Sequence, residues 1–293
     1  MTERELVVDA GDVRLPGTLT IPDEVRGGIV TMHPAASSDR DYFLLANVAE
    51  ILPPRGIAVL RYDRRSADGI DDVPFAAQAS DALRAIALLR DQIGPVPIGL
   101  WAYSQGTWGA TLAAAEAPDA VAFLALIAAP GVTPAEQMRY GTAEQLRREG
   151  YGDDALDELA ELRTAIERYL RGSGDRDAAQ ALIARYAERP WFPLTYYPTD
   201  LPSDATWQDM DFDPAPKIAC VRCPVLLVYG SRDEWTPIEP SLAVWRSASN
   251  AAVTVEVLEG RGHAPVVDDS EAAESVDPVY EAALRRWLDA VIG

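Results

Sequence analysis

The sequence predicts an α/β fold: a mostly parallel central sheet of about eight strands, helices on both faces, and an inserted helical cap. Three observations carry this. Short apolar runs of strand length alternate with segments of helical period through residue 130. The same alternation resumes after residue 223. Between them, residues 131–216 break the pattern with helical segments and an aromatic, proline-rich tract.

Taken in order, "ELVVDA" (5–10) and "VRLPGTLTIP" (13–22) read as an opening antiparallel pair closed by Pro22 and Asp23. "GGIVTMH" (27–33) is a buried strand. Residues 41–52 are helical until Pro53 and Pro54 stop them. "GIAVLRYD" (56–63) is the next buried strand, and residues 75–94 form a helix whose apolar positions recur at helical spacing and which ends at Gly94. "VPIGLWAY" (96–103) is strand, "QGTWGATLAAAEA" (105–117) helix, and "AVAFLALIAAP" (120–130) strand.

In the interrupting segment, residues 133–150, 153–174 and 175–189 read as three helices. Pro134 suits a first helical turn, and Asp153 or Asp154 is expected to cap the second helix. "PVLLVYG" (224–230), "IEPSLAVWRSAS" (238–249), "AVTVEVLEG" (252–260) and "PVYEAALRRWLDAVI" (278–292) then read as strand, helix, strand and helix. The expected domains are a core of residues 1–130 and 217–293 and a cap of residues 131–216.

Composition excludes several function classes. The chain has 293 residues, is 48% hydrophobic and carries a formal net charge of −20. That size supports one large core, or a core plus an inserted subdomain. That charge argues against nucleic acid and against anionic membrane surfaces as partners. No apolar run is long enough for a membrane span, and the charged N-terminal segment has no apolar stretch of a secretion signal, so a cytoplasmic location is expected. Cys220 and Cys223 form a C-x-x-C ahead of a strand. With two cysteines and two distant histidines the chain lacks a usual four-ligand zinc set, so both read as ordinary thiols.

The chemistry concentrates in "AYSQG" (102–106), where Ser104 stands between a buried strand and a helix. A sharp strand-to-helix turn strains the central residue and holds its side chain clear of the sheet edge, while Ala102 and Gly106 let strand and helix approach. A serine hydroxyl needs an imidazole base and a carboxylate to orient it. His263 follows the last predicted strand, and Asp233, with Glu234 as its rival, follows the strand after the insertion. All three positions fall past the carboxyl ends of predicted strands, the edge where open α/β sheets bind ligands. Oxyanion donors are expected from the backbone N–H of Gln105 and from the loop after the early strand. Pro34 has no N–H to give, which leaves Ala35, with Ala36 behind it. His33 is expected to shape that loop.

With these residues in view, the chain resembles the α/β-hydrolase superfamily, in the branch of dienelactone hydrolases and prolyl-oligopeptidase-like esterases that includes acyl-CoA thioesterase-like proteins. The resemblance rests on "HPAASSDRD", "GIAVLRYDRR", "GLWAYSQGTW", "CPVLLVYGSRDEWTP" and "GRGHAP", spread over residues 28–265. The order Ser, Asp, His is that superfamily's. Three positions depart from the relatives' usual pattern: Pro34 after His33, Thr107 where a glycine is common, and Arg65-Ser66 in place of an Arg-Gly turn.

The expected function is a serine hydrolase that cleaves a small-molecule carboxylic ester, thioester or lactone through an acyl-enzyme on Ser104, with no metal or organic cofactor. An acyltransferase or cyclase using the same triad is the alternative, with a peptidase or a non-catalytic ligand-binding fold behind it. Tyr103, Trp191, Phe192, Tyr196, Tyr197, Trp207 and Trp235 are candidates for the substrate pocket, and the cap aromatics read equally well as the cap's own core. Oligomeric state is open, a homodimer included.

Overall fold

The computed structural model describes residues 1–35, 37, 39–66, 73–248, 251–268 and 270–293. β1 (Thr2–Asp9) and β2 (Arg14–Ile21) form the antiparallel entry pair. β3 (Gly27–Met32), β4 (Ile57–Tyr62), β5 (Ile98–Tyr103), β6 (Leu124–Ile127), β7 (Val225–Gly230) and β8 (Val253–Leu258) are all parallel to one another. The eight strands make one sheet in the order β1-β2-β4-β3-β5-β6-β7-β8, with β2 antiparallel to β4. The chain steps outward from β3 to β4, then crosses back over β3 to β5. The order of winding therefore reverses between β3 and β5, the kind of switch point at whose carboxyl ends open α/β sheets bind ligands.

Strands β3 to β7 are buried along their whole length, as unbroken apolar runs covered on both faces must be. Alternate residues serve different layers. Leu100 and Ala102 face α2 (Phe75–Ile93), α3 (Gly106–Glu116) and α8 (Ile238–Ala248), whereas Trp101 and Tyr103 face α1 (Phe43–Ile51) and α9 (Pro278–Ile292). Trp101 spends its one polar atom inside the second layer, where Nε1 donates to Tyr280 Oη at 2.8 Å. β6 is shorter than its apolar run suggests. Ala128, directly after it, has φ 52°, a left-handed conformation.

Between β6 and β7 lie α4 (Pro134–Arg148), α5 (Asp153–Leu170), α6 (Arg176–Tyr186) and the short α7 (Ala215–Ile218). Leu146, Leu162, Ile166, Ile183 and Tyr186 build a hydrophobic cluster separate from the two sheet layers. Thr133 caps α4 in a reciprocal box with Glu136, and Pro134 occupies the first turn as expected. α5 differs from expectation: Gly152 is its cap, and Asp153 and Asp154 fall inside the first turn, where their charge complements the helix dipole. The sequence reading missed α7, because four residues carry no helical period. Cys220 and Cys223 are free thiols in the link from α7 to β7. Among the described residues no helix is long and apolar enough to cross a membrane. Ser249, placed at the end of a predicted helix, lies outside the described residues.

Candidate active site

Ser104 follows β5 with φ 52°. A side chain in that left-handed conformation costs about 1–2 kcal/mol, and the surroundings hold it there. The Ser104 N–H donates to Ile127 O at 2.9 Å, extending the β5–β6 ladder by one rung. Its carbonyl accepts from Thr107 N–H at 3.0 Å and from Thr107 Oγ1 at 2.6 Å. Thr107, the departure from glycine, thus adds a side-chain tie to the turn. Gly106 is required by close approach: a Cβ there would fall 2.5 Å from the His33 carbonyl oxygen. The start of α3 therefore rests directly on the end of β3.

The structure brings Ser104, His263 and Asp233 together. Ser104 Oγ lies 2.8 Å from His263 Nε2. His263 Nδ1 lies 2.9 and 3.0 Å from the two carboxylate oxygens of Asp233. Asp233 Oδ1 also accepts the N–H groups of Trp235 and Thr236, each at 2.8 Å. These donors fix the carboxylate, the carboxylate holds the proton on Nδ1, and Nε2 is left to accept from the serine hydroxyl. Burial pulls the His263 pKa down, but the Asp233 charge, the hydrogen bond to it and the Glu234 charge outweigh burial, so the net direction is up from 6.5. Glu234 is not the imidazole's partner. It accepts the His263 backbone N–H at 3.3 Å instead.

At the oxyanion side, Gln105 opens α3 with its side-chain oxygen accepting from Arg64 Nη1 at 2.7 Å. Ala35 sits in an exposed turn beyond β3. Ala36, and Ala67 to Gly69 of the "YDRRSADG" segment, lie outside the described residues. His33 is 2% exposed, and burial first, then the Arg64 charge, push its pKa down to about 3. It is therefore a neutral residue of the loop's support. Arg64 and the backbone donors to Asp233 escaped the sequence reading, since no spacing marks a contact made through a loop.

The aromatic candidates divide. The Tyr103 ring lies 5.2 Å from that of His263, and burial holds its phenol far above the usual 10. Trp235 is packed between Gly141 and Tyr196, whose ring is 5.3 Å away. Tyr196 is itself exposed and donates to Gln145 Oε1 at 2.8 Å. Trp191 and Phe192 are buried in the hydrophobic cluster of the helices between β6 and β7, Trp191 with its ring 5.7 Å from Tyr186. Tyr197 and Trp207 pack against the same cluster, and Arg163 lies over the Tyr197 ring at 5.0 Å.

A family model described as "Alpha/beta hydrolase family" matches residues 29–276. The chain belongs to this family. The α/β-hydrolase resembles, in fold, a proline iminopeptidase from Mycobacterium smegmatis (18% identity, 99% of each chain covered, TM-score 0.63). It also resembles a thermostable carboxyl esterase from Bacillus coagulans (17% identity, 100% of each chain, TM-score 0.62). In sequence it is 32% identical over 123 residues to a Mycobacterium tuberculosis protein named provisionally as a phosphoribosyl transferase. That match spans 40% of this chain and 27% of the relative. The family match supports an enzyme of the hydrolase class, and the two solved neighbours, at 18% and 17% identity, share its fold.

Proposed function

We propose that this enzyme is a serine hydrolase that cleaves a small-molecule carboxylic ester, thioester or lactone through an acyl-enzyme on Ser104. The observation that carries the reading is the unbroken chain from Ser104 Oγ through His263 to Asp233, at 2.8 and 2.9 Å, on a turn whose serine has φ 52°. Ser104 Oγ attacks the carbonyl carbon as Nε2 takes its proton. Asp233 stabilises the imidazolium. The N–H groups of Gln105 and Ala35 receive the oxyanion, with the first backed by the N-terminus of α3. His263 then returns the proton to the leaving group, and later activates the water that releases the acid. No step calls on a metal or an organic cofactor.

The formal charge of −20 supports a small substrate over nucleic acid or an anionic membrane. The test is Ser104→Ala. It should cost at least about a thousandfold in hydrolysis of p-nitrophenyl acetate. A fluorophosphonate probe should label the wild type at Ser104 and leave the variant unlabelled. Full hydrolysis by Ser104→Ala, or a label on another residue, would refute the reading.

A further inference from the structure

Helix α4 lays one stripe of residues along the loop that carries Asp233. Gln137 Nε2 donates to the Trp235 carbonyl at 3.1 Å, and Tyr140 Oη donates to the Asp233 carbonyl at 3.3 Å. Gly141 lets the helix close on Trp235: a Cβ there would fall 2.4 Å from the indole. Arg148 Nη2 donates to the Arg232 carbonyl at 2.7 Å. Positions 137, 140, 141, 144 and 148 follow helical steps of three and four, so a single face makes every contact. At the end of this stripe stands Glu234. Its Oε2 pairs with Arg148 Nη1 at 3.3 Å and accepts the His263 N–H at 3.3 Å. Gly262 leaves room for that oxygen, since a Cβ at 262 would lie only 3.1 Å from it. Glu144, one turn back on α4, steadies the other side of the Arg148 guanidinium at 3.1 Å.

We propose that Glu234 is a positioning residue for the general base: its carboxylate clamps the His263 backbone to the Asp233 loop, and Arg148 makes that clamp depend on the seating of the cap. The proposal rests on the serine-hydrolase reading above. The need for a clamp follows from topology. His263 sits in the loop after β8, an edge strand with no further strand beside it among the described residues. Asp233 fixes the ring, and Glu234, the next residue, fixes the main chain that carries it. The Glu234 and Arg148 side chains are 26% and 40% exposed, so solvent screens their attraction and the clamp acts through geometry more than through raw binding energy.

The charge of Glu234 gives the clamp a distinct signature. Asp233 and Glu234 face His263 from the acid loop, Tyr103 from β5 and Ser104 from the elbow. Tyr140 and Arg148 reach the acid loop from α4. The chain after β8 adds Arg261, paired with Asp277, and Glu271, which acts on Tyr103. Within this set Glu234 favours the imidazolium and Arg148 offsets Glu234. Removing one charge or the other should move the histidine in opposite directions.

The experiment compares Glu234→Gln, Glu234→Ala and Arg148→Met, each checked for folding by a circular dichroism melt. It measures the pH dependence of kcat/KM for p-nitrophenyl acetate and of the fluorophosphonate labelling rate. The acid limb of Glu234→Gln should fall by about half a pH unit, and that of Arg148→Met should rise by about as much. The plateau rate of Glu234→Ala should drop about tenfold, and Glu234→Gln, which keeps an acceptor for the His263 N–H, should recover most of it. Limbs that stay put or move in the same direction overturn the proposal, as does an equal plateau loss in the Ala and Gln variants. Ser104→Ala separates the two failures. If it hydrolyses normally, the serine-hydrolase reading is wrong. If it is inactive while the limbs do not part, only the clamp is wrong.

Discussion

Replacing Gly106 by alanine tests the coupling between fold and chemistry at its tightest point. The added Cβ would lie 2.5 Å from the His33 carbonyl oxygen and 3.2 Å from the carbonyl carbons of His33 and Met32. All three neighbours are backbone, so no side chain can turn aside. To reach ordinary contact the start of α3 and the end of β3 must separate by about 0.9 Å. The separated parts are Gln105, one oxyanion donor of the proposed mechanism, and the loop carrying the other. Misplacement on that scale costs about 100-fold in rate, and the overpacking costs about 1–3 kcal/mol of stability, partly offset by alanine's better helix propensity. The control is Gly109→Ala on the same helix. There the nearest atom is Met32 Cε at 2.9 Å, the far end of a flexible side chain. kcat/KM on p-nitrophenyl acetate and urea melts should show Gly106→Ala losing about two orders of magnitude in activity and Gly109→Ala keeping most of it. Equal activity in the two variants would refute the reasoning.

Three further outcomes follow from the geometry. In Asp233→Asn the side-chain oxygen stays pinned by the Trp235 and Thr236 N–H groups, which turns the amide NH2 toward His263 Nδ1 and moves the ring proton to Nε2. kcat should fall about 10³–10⁴-fold with the melt little changed, and a small loss of kcat would contradict the assigned tautomer. His33 is neutral in the folded protein down to about pH 3, whereas in the unfolded chain it takes a proton near 6.5. Its contribution is therefore fully present above 6.5 and is lost as pH falls, at about 1.4 kcal/mol per pH unit through that window. Urea melts of His33→Asn should show a shallower loss of stability from pH 6.5 to 4.5 than the wild type, and parallel slopes would contradict the assignment. On α5, the fully buried Glu167 carboxylate is shared by Arg139, by Arg163 Nε at 3.4 Å and by Arg171 Nη1 at 3.7 Å. Glu167→Gln strands Arg163, 2% exposed, without its counter-charge, and should cost about 3–5 kcal/mol in a denaturant melt. An unchanged midpoint would show that this ion cluster does not hold α4 and α5 together.

Much of this architecture was legible in the chain, and the legible part has a common cause. Strands covered on both faces must be apolar throughout, so β3, β4, β5 and β7 announce themselves. Helices that cover a sheet repeat at helical spacing, so α2 and α9 do too. What the sequence hides is whatever depends on long-range placement. The reversal between β3 and β5 is a choice of partner strand, and no local pattern encodes it. The run at 120–130 reads as one long strand, yet regular strand covers only Leu124–Ile127, and the backbone turns left-handed at Ala128. Apolarity alone cannot separate Trp191 and Phe192, which bury themselves in the helical cluster between β6 and β7, from Tyr103, which stands beside His263.

At the site the same division holds. Ser104, Asp233 and His263 could be picked out because each follows a strand in a parallel sheet and the chain has only two histidines to weigh. Glu234 was visible only as a rival to Asp233. Its bond to the His263 backbone depends on the approach of Gly262 and on Arg148 from a helix 86 residues earlier in the chain. Thr107 stood out as a departure from glycine, but its tie to the Ser104 carbonyl appears only once the turn is folded.

The central claim is that Ser104 Oγ becomes acylated during turnover. The most direct measurement is acid quenching of the wild-type enzyme in the first moments of p-nitrophenyl acetate hydrolysis, followed by peptide mass spectrometry. The account predicts a burst of p-nitrophenol and one acetyl group on the peptide that contains Ser104, accumulating and decaying at rates consistent with turnover. Turnover that proceeds with Ser104 unmodified, or with the acetyl group carried on another side chain, would contradict it.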